Sequence, residues 1–387
     1  MSALLDPPAD TTASTESDAD TGGADDLTVL LEALRPDDVD LDALAAELDA
    51  IREEVLSSLG EADAAYLRRL LKVQRGLDLG GRAALLAGVF PPAWVAGVAM
   101  LGLAKILENM EIGHNVMHGQ WDWMRDPQIH STTWEWDNVC PSSQWKHSHN
   151  HRHHQWTNVD GMDRDIGYGA LRIDASQPWR RDHLAQPVVF VVLALLFEYG
   201  VSLHDNEHLK LHGSEKTDFE AAGPKLRETW AKIKRQAAKD YLWFPALAVP
   251  FGLPSVVSSV TGAAAANVVR NLWSFAVIFC GHFPDGVTIF TQEEVEGETR
   301  GGWYRRQILG SANFTGGRLM DLLSGNLNHQ IEHHLFPDLP SNRYAEIAPK
   351  VQAICEHHGI PYNTGSFARQ FGTVVRKVLR LTFPGGR

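Results

Sequence analysis

The stretch Lys146 to Trp156, KHSHNHRHHQW, carries five histidines within eight residues: His147, His149, His151, His153 and His154. Imidazole at that density belongs either to a surface tract or to a metal site. Other histidines decide between the two. In ENMEIGHNVMHGQW, His114 and His118 stand at i,i+4, on one helix face and able to grip one ion. In GNLNHQIEHHLFP, His329, His333 and His334 stand beside Asn326 and Gln330. FCGHFPDG adds His282. Each group lies near the end of an apolar segment or in a polar block, and together they describe one polynuclear metal site. So many nitrogens exceed the four donors of a structural zinc, and imidazole suits zinc, copper, iron and nickel alike. The donor number points to two metals, and their place beside apolar segments points to redox chemistry on a lipid. Cys140, Cys280 and Cys355 are far apart and form no C-x-x-C, so neither a disulfide framework nor a cysteine-bound cluster is expected.

These side chains must be positioned by elements that the sequence marks with long uncharged runs. Tyr241 to Val269 has no charged residue, and after Arg270 the apolar character resumes to Cys280. As helix, those residues span ~60 Å, about two bilayer crossings, with a break expected at PFGLP (Pro250 to Pro254). Ala83 to Ala104 is a second run, interrupted by Pro91-Pro92, and reads as a kinked span or a tight hairpin. Pro187 to Leu203 is a third, shorter and carrying Glu198. Mean hydropathy, −0.20, is that of a soluble chain. The uncharged runs outweigh it, as does the cluster Arg68, Arg69, Lys72, Arg75 and Arg82, which suits a cytoplasmic flank.

The net charge of −13 is unevenly spread. Residues 1–65 hold eighteen Asp/Glu against two Arg, leaving the remainder at +3. The acidity therefore says little about partners of the main body. Residues 1–26 read as a disordered acidic tail with no signal-peptide core, 27–80 as a helical cytosolic segment, 81–365 as the membrane and catalytic domain, and 366–387 as a cytosolic tail. No nucleic-acid partner is expected.

The motifs H-x3-H, H-x3-H-H and [HQ]-x(2,3)-H-H, with the flanks HHQWTNVDGMDRDIGYG, FCGHFPDG, GSANF and NHQIEHHLFPDLPSNRYAEIAP, resemble the membrane fatty acid desaturase family, and within it the actinobacterial acyl-CoA desaturases. The resemblance covers roughly residues 40 to 380. It implies an all-α integral membrane fold, about four transmembrane helices under a cytosolic cap that holds a di-iron site. It selects His149, His153 and His154 from the second box and sets His147 and His151 aside, which helical angles alone do not do. In the third box either His329 or Gln330 takes the first position, before His333 and His334; an imidazole nitrogen is the better iron donor. His282 resembles the isolated histidine that completes such a site, and His114 with His118 forms the first box. His204, His208 and His212 match no box.

The same resemblance implies O2-dependent desaturation of a long-chain acyl-CoA or acyl-lipid, with Δ9 of a C16–C18 chain expected from the whole-chain match and Δ6 from QIEHH. A hydroxylase shares the boxes; a metal transporter would want its ionisable residues within the spans. Asp160, Asp163 and Asp165 are candidate partners for ligand imidazole N–H groups, and Trp134 and Trp136 for the acyl tunnel. No GxGxxG or heme motif is present, so electrons should come from a separate flavin and iron–sulfur NADPH reductase. With all boxes on one side, the active site should face the cytoplasm, Tyr241–Cys280 should cross twice, Pro91-Pro92 should turn a hairpin, and Pro187–Leu203 should embed without crossing.

Overall fold

The computed structural model describes residues 39–209 and 217–386, so the expected acidic tail lies outside the described residues. The fold is mostly helical, with one small parallel ribbon between β1 (Asn313–Thr315) and β2 (Thr364–Ser366). The chain opens with α1 (Leu41–Ser58), capped by the Asp40 carboxylate, which accepts from the Ala43 N–H. Next, α2 (Glu61–Leu86) and α3 (Pro91–Ile106) form a tight hairpin. Its turn falls where Pro91-Pro92 predicts it, because proline is tolerated in the first turn of a helix, where its missing N–H has no partner anyway. The limb before the turn is far longer than the apolar run from Ala83, since α2 starts at Glu61 and keeps Arg68, Arg69, Lys72 and Arg75 on its exposed face. The boundary drawn at residue 80 accordingly falls inside α2, and the one at 365/366 inside β2.

The second hairpin departs from expectation in its first limb. Helix α7 (Phe219–Ala238) is rich in charge; it continues through the π-helical stretch Lys239–Trp243 to Ala246, so only its last turns are apolar. The chain reverses over PFGLP, as expected, and enters α8 (Leu253–His282). Among the described residues, α8 alone is a continuous helix long and apolar enough to cross a membrane. The run Pro187–Leu203 breaks at Leu196, where the stretch ending in α5 (Gln186–Leu195) meets α6 (Phe197–His204) at 102°.

Small residues let the helices close on one another, within the first hairpin and between the two. A Cβ on Gly81 would sit 2.7 Å from the Leu101 nitrogen, and one on Gly262 would lie 2.3 Å from the Leu85 side chain. Leu85, Leu101, Ala263 and Ala266 fill the junction. Buried charges between the helices are paired. Lys105 Nζ lies 2.9 Å from Asp240 and 3.3 Å from Asp137, and Arg82 reaches Asp240 at 3.2 Å. Arg270 of α8 pairs with Glu198 of α6.

Above the hairpins sits a cap whose core joins Leu44, Leu48 and Ile51 of α1 to Tyr304 and Ile308 of α9 (Arg300–Leu309). The same core takes Ile331 and Leu335 of α11 (Gln330–Leu335), after the short α10 (Gly317–Ser324), and Ile347 and Val351 of α12 (Tyr344–His357). By burying Ile331 and Leu335 on one side, the cap turns the intervening His333 and His334 to the other. The amphipathic α13 (Phe367–Leu381) closes the fold against α5 and α8.

Candidate metal centre

Four elements bring the histidines together. Helix α3 runs without a break into the wider turns Leu107–His114 and on to Met117, so His114 and His118 lie at its inner end. The second box lies on α4, which starts at Ser142–Trp145, passes through π-helical Lys146–His153 and ends at His154–Trp156. A π-helix bonds i to i+5, which aligns His149 with His154, their Nε2 atoms 3.2 Å apart. His153 stacks on His149, with ring centroids 5.0 Å apart. His147 and His151 point outward and are exposed, His147 lying 3.8 Å from Glu207. Helix α11 supplies His333 and His334, and α8 ends on His282.

The donor atoms form two groups, each within 4.8 Å: His114, His118, His149 and His333, and His153, His282 and His334. His154 stands between them, its ring 4.6 Å from His118, 4.8 Å from His333 and 4.4 Å from His334. Six of these eight side chains are buried; His118 and His149 are half-buried.

Hydrogen bonds fix which nitrogen of four of these rings faces inward. The Tyr344 hydroxyl donates to Phe336 O (3.0 Å), so its oxygen accepts from His333 Nδ1 (3.3 Å). Gln307 Oε1 accepts from His334 Nδ1 (2.9 Å), and the Asp163 carboxylate from His153 Nδ1 (3.0 Å). Asn115 Oδ1 holds His114 Nδ1 at 3.0 Å. The opposite nitrogens, Nε2 of His153, His333 and His334, are buried without a partner, as is Nε2 of His118. Buried polar atoms are nearly always satisfied. Several unpartnered imidazole lone pairs converging on one volume fit the demands of divalent metal, which takes neutral nitrogen.

The electrostatics of seven of the eight rings agree, His153 being the exception. Burial and neighbouring imidazoles hold His154, His333 and His334 well below the usual histidine range, keeping them neutral. Burial also opposes charge on His153, but Asp163 and Asp165 together carry it above that range. Asp165 is buried, yet His153, His149 and His204 hold it well below the carboxylate range.

Of the three aspartates, Asp163 holds His153, and Asp165 lies 3.5 Å from His149 Nδ1. Asp160 is exposed, and its peptide groups bond Phe290 and Gln292 instead, because the turn carries it outward. In the third box the two candidates for the first position part company. His329 precedes α11 with φ −101° and ψ 56°, belongs to neither group, and places Nε2 3.5 Å from Asp321. Gln330, the first residue of α11, reaches inward, its Nε2 3.1 Å from His282 Nε2. His204, which matches no box, bonds Asp165 at 2.9 Å and so acts on two rings through one carboxylate. Its i,i+4 relation to His208 was a sequence signal, but for a different geometry. Tyr344 and Gln307 gave none.

A narrow cavity of about 60 Å³ opens from the histidines. One face of α8 lines it, with Arg270, Ser274, Ile278 and His282 at successive four-residue steps, about 18 Å in all at the helical rise. Trp136, Trp145, Phe197 and Val201 wall it, and Asn271 with the Arg270–Glu198 pair forms its polar end. Trp136 thus lines the cavity, whereas Trp134 packs in the cores on either side of it.

Histidines gathered at one end of a long enclosed cavity, behind a helical cap, are the arrangement of a histidine-rich oxidoreductase. Comparison with known proteins narrows the class. The fatty acid desaturase profile matches residues 91–366, and the chain belongs to that family. The NADPH-dependent stearoyl-CoA 9-desaturase of Mycobacterium tuberculosis is 51% identical over 347 residues, covering 90% of this chain and 81% of the relative. The sn-1 linoleoyl-lipid 6-desaturase of Synechocystis is 26% identical over 287 residues, covering 72% and 77%. Human fatty acid desaturase 3 is 30% identical over 150 residues, covering 38% and 31%.

Proposed function

We propose that the chain introduces a Δ9 double bond into a saturated C16–C18 acyl-CoA, using two irons, O2 and electrons from a separate flavin and iron–sulfur NADPH reductase. The observation that carries this reading is the set of inward, unpartnered imidazole nitrogens at one end of the α8 cavity. His114, His118, His149 and His333 would hold one iron, and His153, His282 and His334 the other, with His154 between them. Irons held there would supply the oxidising power, with O2, that an unactivated methylene C–H bond requires. The chain's own contribution is placement. Asp163, Gln307, Tyr344 and Asn115 hold the rings in one tautomer and orientation. The aromatic walls exclude water and hold one carbon pair of the acyl chain against the histidines.

The higher identity to a 9-desaturase than to a 6-desaturase supports Δ9, and the Mycobacterium relative's name supports both the CoA carrier and the NADPH-linked donor. A Δ6 reading draws on one observation, the place of Gln330 beside His282, which favours the Q-x-x-H-H form of the third box.

We also propose that the α2–α3 and α7–α8 hairpins embed in the cell membrane as four spans, with the cap and the site facing the cytoplasm. Both turns expose apolar side chains, Val89 and Phe90 on one and Val249, Phe251 and Leu253 on the other, where a turn in water would be polar. The exposed Val188, Val191 and Val192 of α5 continue that surface and suit embedding without crossing.

The test is the fatty-acid profile, with double bonds located, of cells expressing the chain or its His153→Ala variant, alongside iron content of the purified proteins. A new Δ9 monoene that disappears with the variant supports the proposal. A Δ6 product selects the second reading, and hydroxy fatty acids would refute desaturation.

A further inference from the structure

Far from the cavity, two helices present a second set of metal-binding side chains. Glu47 lies on α1, His357 is the last residue of α12, and His358 follows it. Glu47 Oε1 is 3.2 Å from His358 Nε2 and 3.5 Å from His357 Nδ1, and the three donor atoms lie within 4.8 Å of one another. No residue is shared with the histidines of the cavity.

We propose that Glu47, His357 and His358 bind a divalent cation of the zinc kind, clasping α1 to the end of α12. Zinc holds imidazole and carboxylate donors at 2.0–2.2 Å in a tetrahedron, whose neighbouring donors are then about 3.3 Å apart. Both edges to Glu47, 3.2 Å and 3.5 Å, already have about that length. A hydrogen bond between Glu47 and His358 accounts for one edge. The second imidazole lies 3.5 Å from the same oxygen, beyond an ordinary hydrogen bond's usual length and within reach of a shared cation.

The donor set is selective. Two imidazoles and one carboxylate suit zinc and its borderline neighbours, whereas calcium and magnesium want oxygen. The site also sits at the C-terminus of α12, where the helix's last carbonyls favour a cation. The His358 side chain is buried and that of His357 is 71% exposed, so the fourth position opens to solvent and takes water. Because α1 and α11 share a core through Leu48 and Ile331, a clasp on α1 steadies the cap that presents His333 and His334.

The test uses the full chain purified with its iron in detergent. Wild type, His357→Gln and Glu47→Gln are each equilibrated with zinc, desalted and assayed for both metals, and Tm is recorded before and after zinc. Wild type should retain one more zinc per chain than either variant, at equal iron content, and only its Tm should rise, by several degrees. Equal zinc retention in all three proteins would overturn the proposal. So would a Tm difference between wild type and variants that persists unchanged in a chelator strong enough to strip zinc, since that identifies a hydrogen-bonded contact alone.

Discussion

At the scale of the residue, the site depends on side chains that never face the cavity. Tyr344 and Gln307 each hold a ring by its Nδ1, leaving Nε2 free. Replacing such a partner costs roughly 10–100-fold in metal affinity. Tyr344→Phe and Gln307→Leu should each weaken iron retention by about that factor, measured as iron per chain against a graded chelator series. Both proteins should remain folded, since neither change opens a large void. The boxes themselves were legible in the sequence, because i,i+4 and adjacent histidines leave a spacing. The choice among the five histidines of the second box was not. An angle of 100° per residue assumes 3.6 residues per turn, and α4 is π-helical over the very residues in question. Spacing could not separate His329 from Gln330 for a related reason, since the helix begins at Gln330 and His329 stands just before it.

At the scale of the element, two buried polar clusters bind the helices to one another. Lys105 sits between Asp137 and Asp240 and is almost fully buried. Removing one partner of a buried ion pair strands the other, at about 3–5 kcal/mol. Lys105→Met should lower Tm markedly in detergent, whereas Lys72→Met on the exposed face of α2 should not. Glu111 accepts from Tyr66 (2.6 Å), Ser341 (2.9 Å) and Asn326 (3.0 Å), joining α2, the end of α3 and the third-box loop. Burial pushes its pKa up to about 7 despite these donors. A carboxyl with its folded pKa raised contributes stability that is complete below the unfolded value, about 4.3, and that is lost as pH rises through about 7. The Tm of Glu111→Gln should therefore gain on wild type between pH 5 and pH 8; parallel curves would contradict this. Hairpin turns could be read from proline positions, but the charged limbs α2 and α7 could not. A helix whose polar half is covered or faces water has no uncharged run to announce it.

At the scale of the molecule, the cap and the hairpins meet along one cavity. Ser274 lies one turn from Arg270 and two turns from His282 on the face of α8 that lines it. Ser274→Trp should block the cavity toward its Arg270 end. The variant should bind iron as wild type does, yet lose activity on C18 substrates more than on shorter ones, read from competition between acyl-CoAs of different length. Nothing in the sequence marked Ser274, because a small polar residue within an apolar helix carries no periodic signal of its own.

The alignment of Arg270, Ser274, Ile278 and His282 on a single rigid helix bears on how such enzymes diversify. His282 and the cavity wall at Ser274 and Ile278 occupy different turns of one covalent rod. On the proposed reading, preference for chain length drifts by single substitutions at positions 274 and 278, with every inward imidazole nitrogen left in place. Lineages under changing temperature could retune their lipids without ever passing through an ancestor that had lost its chemistry.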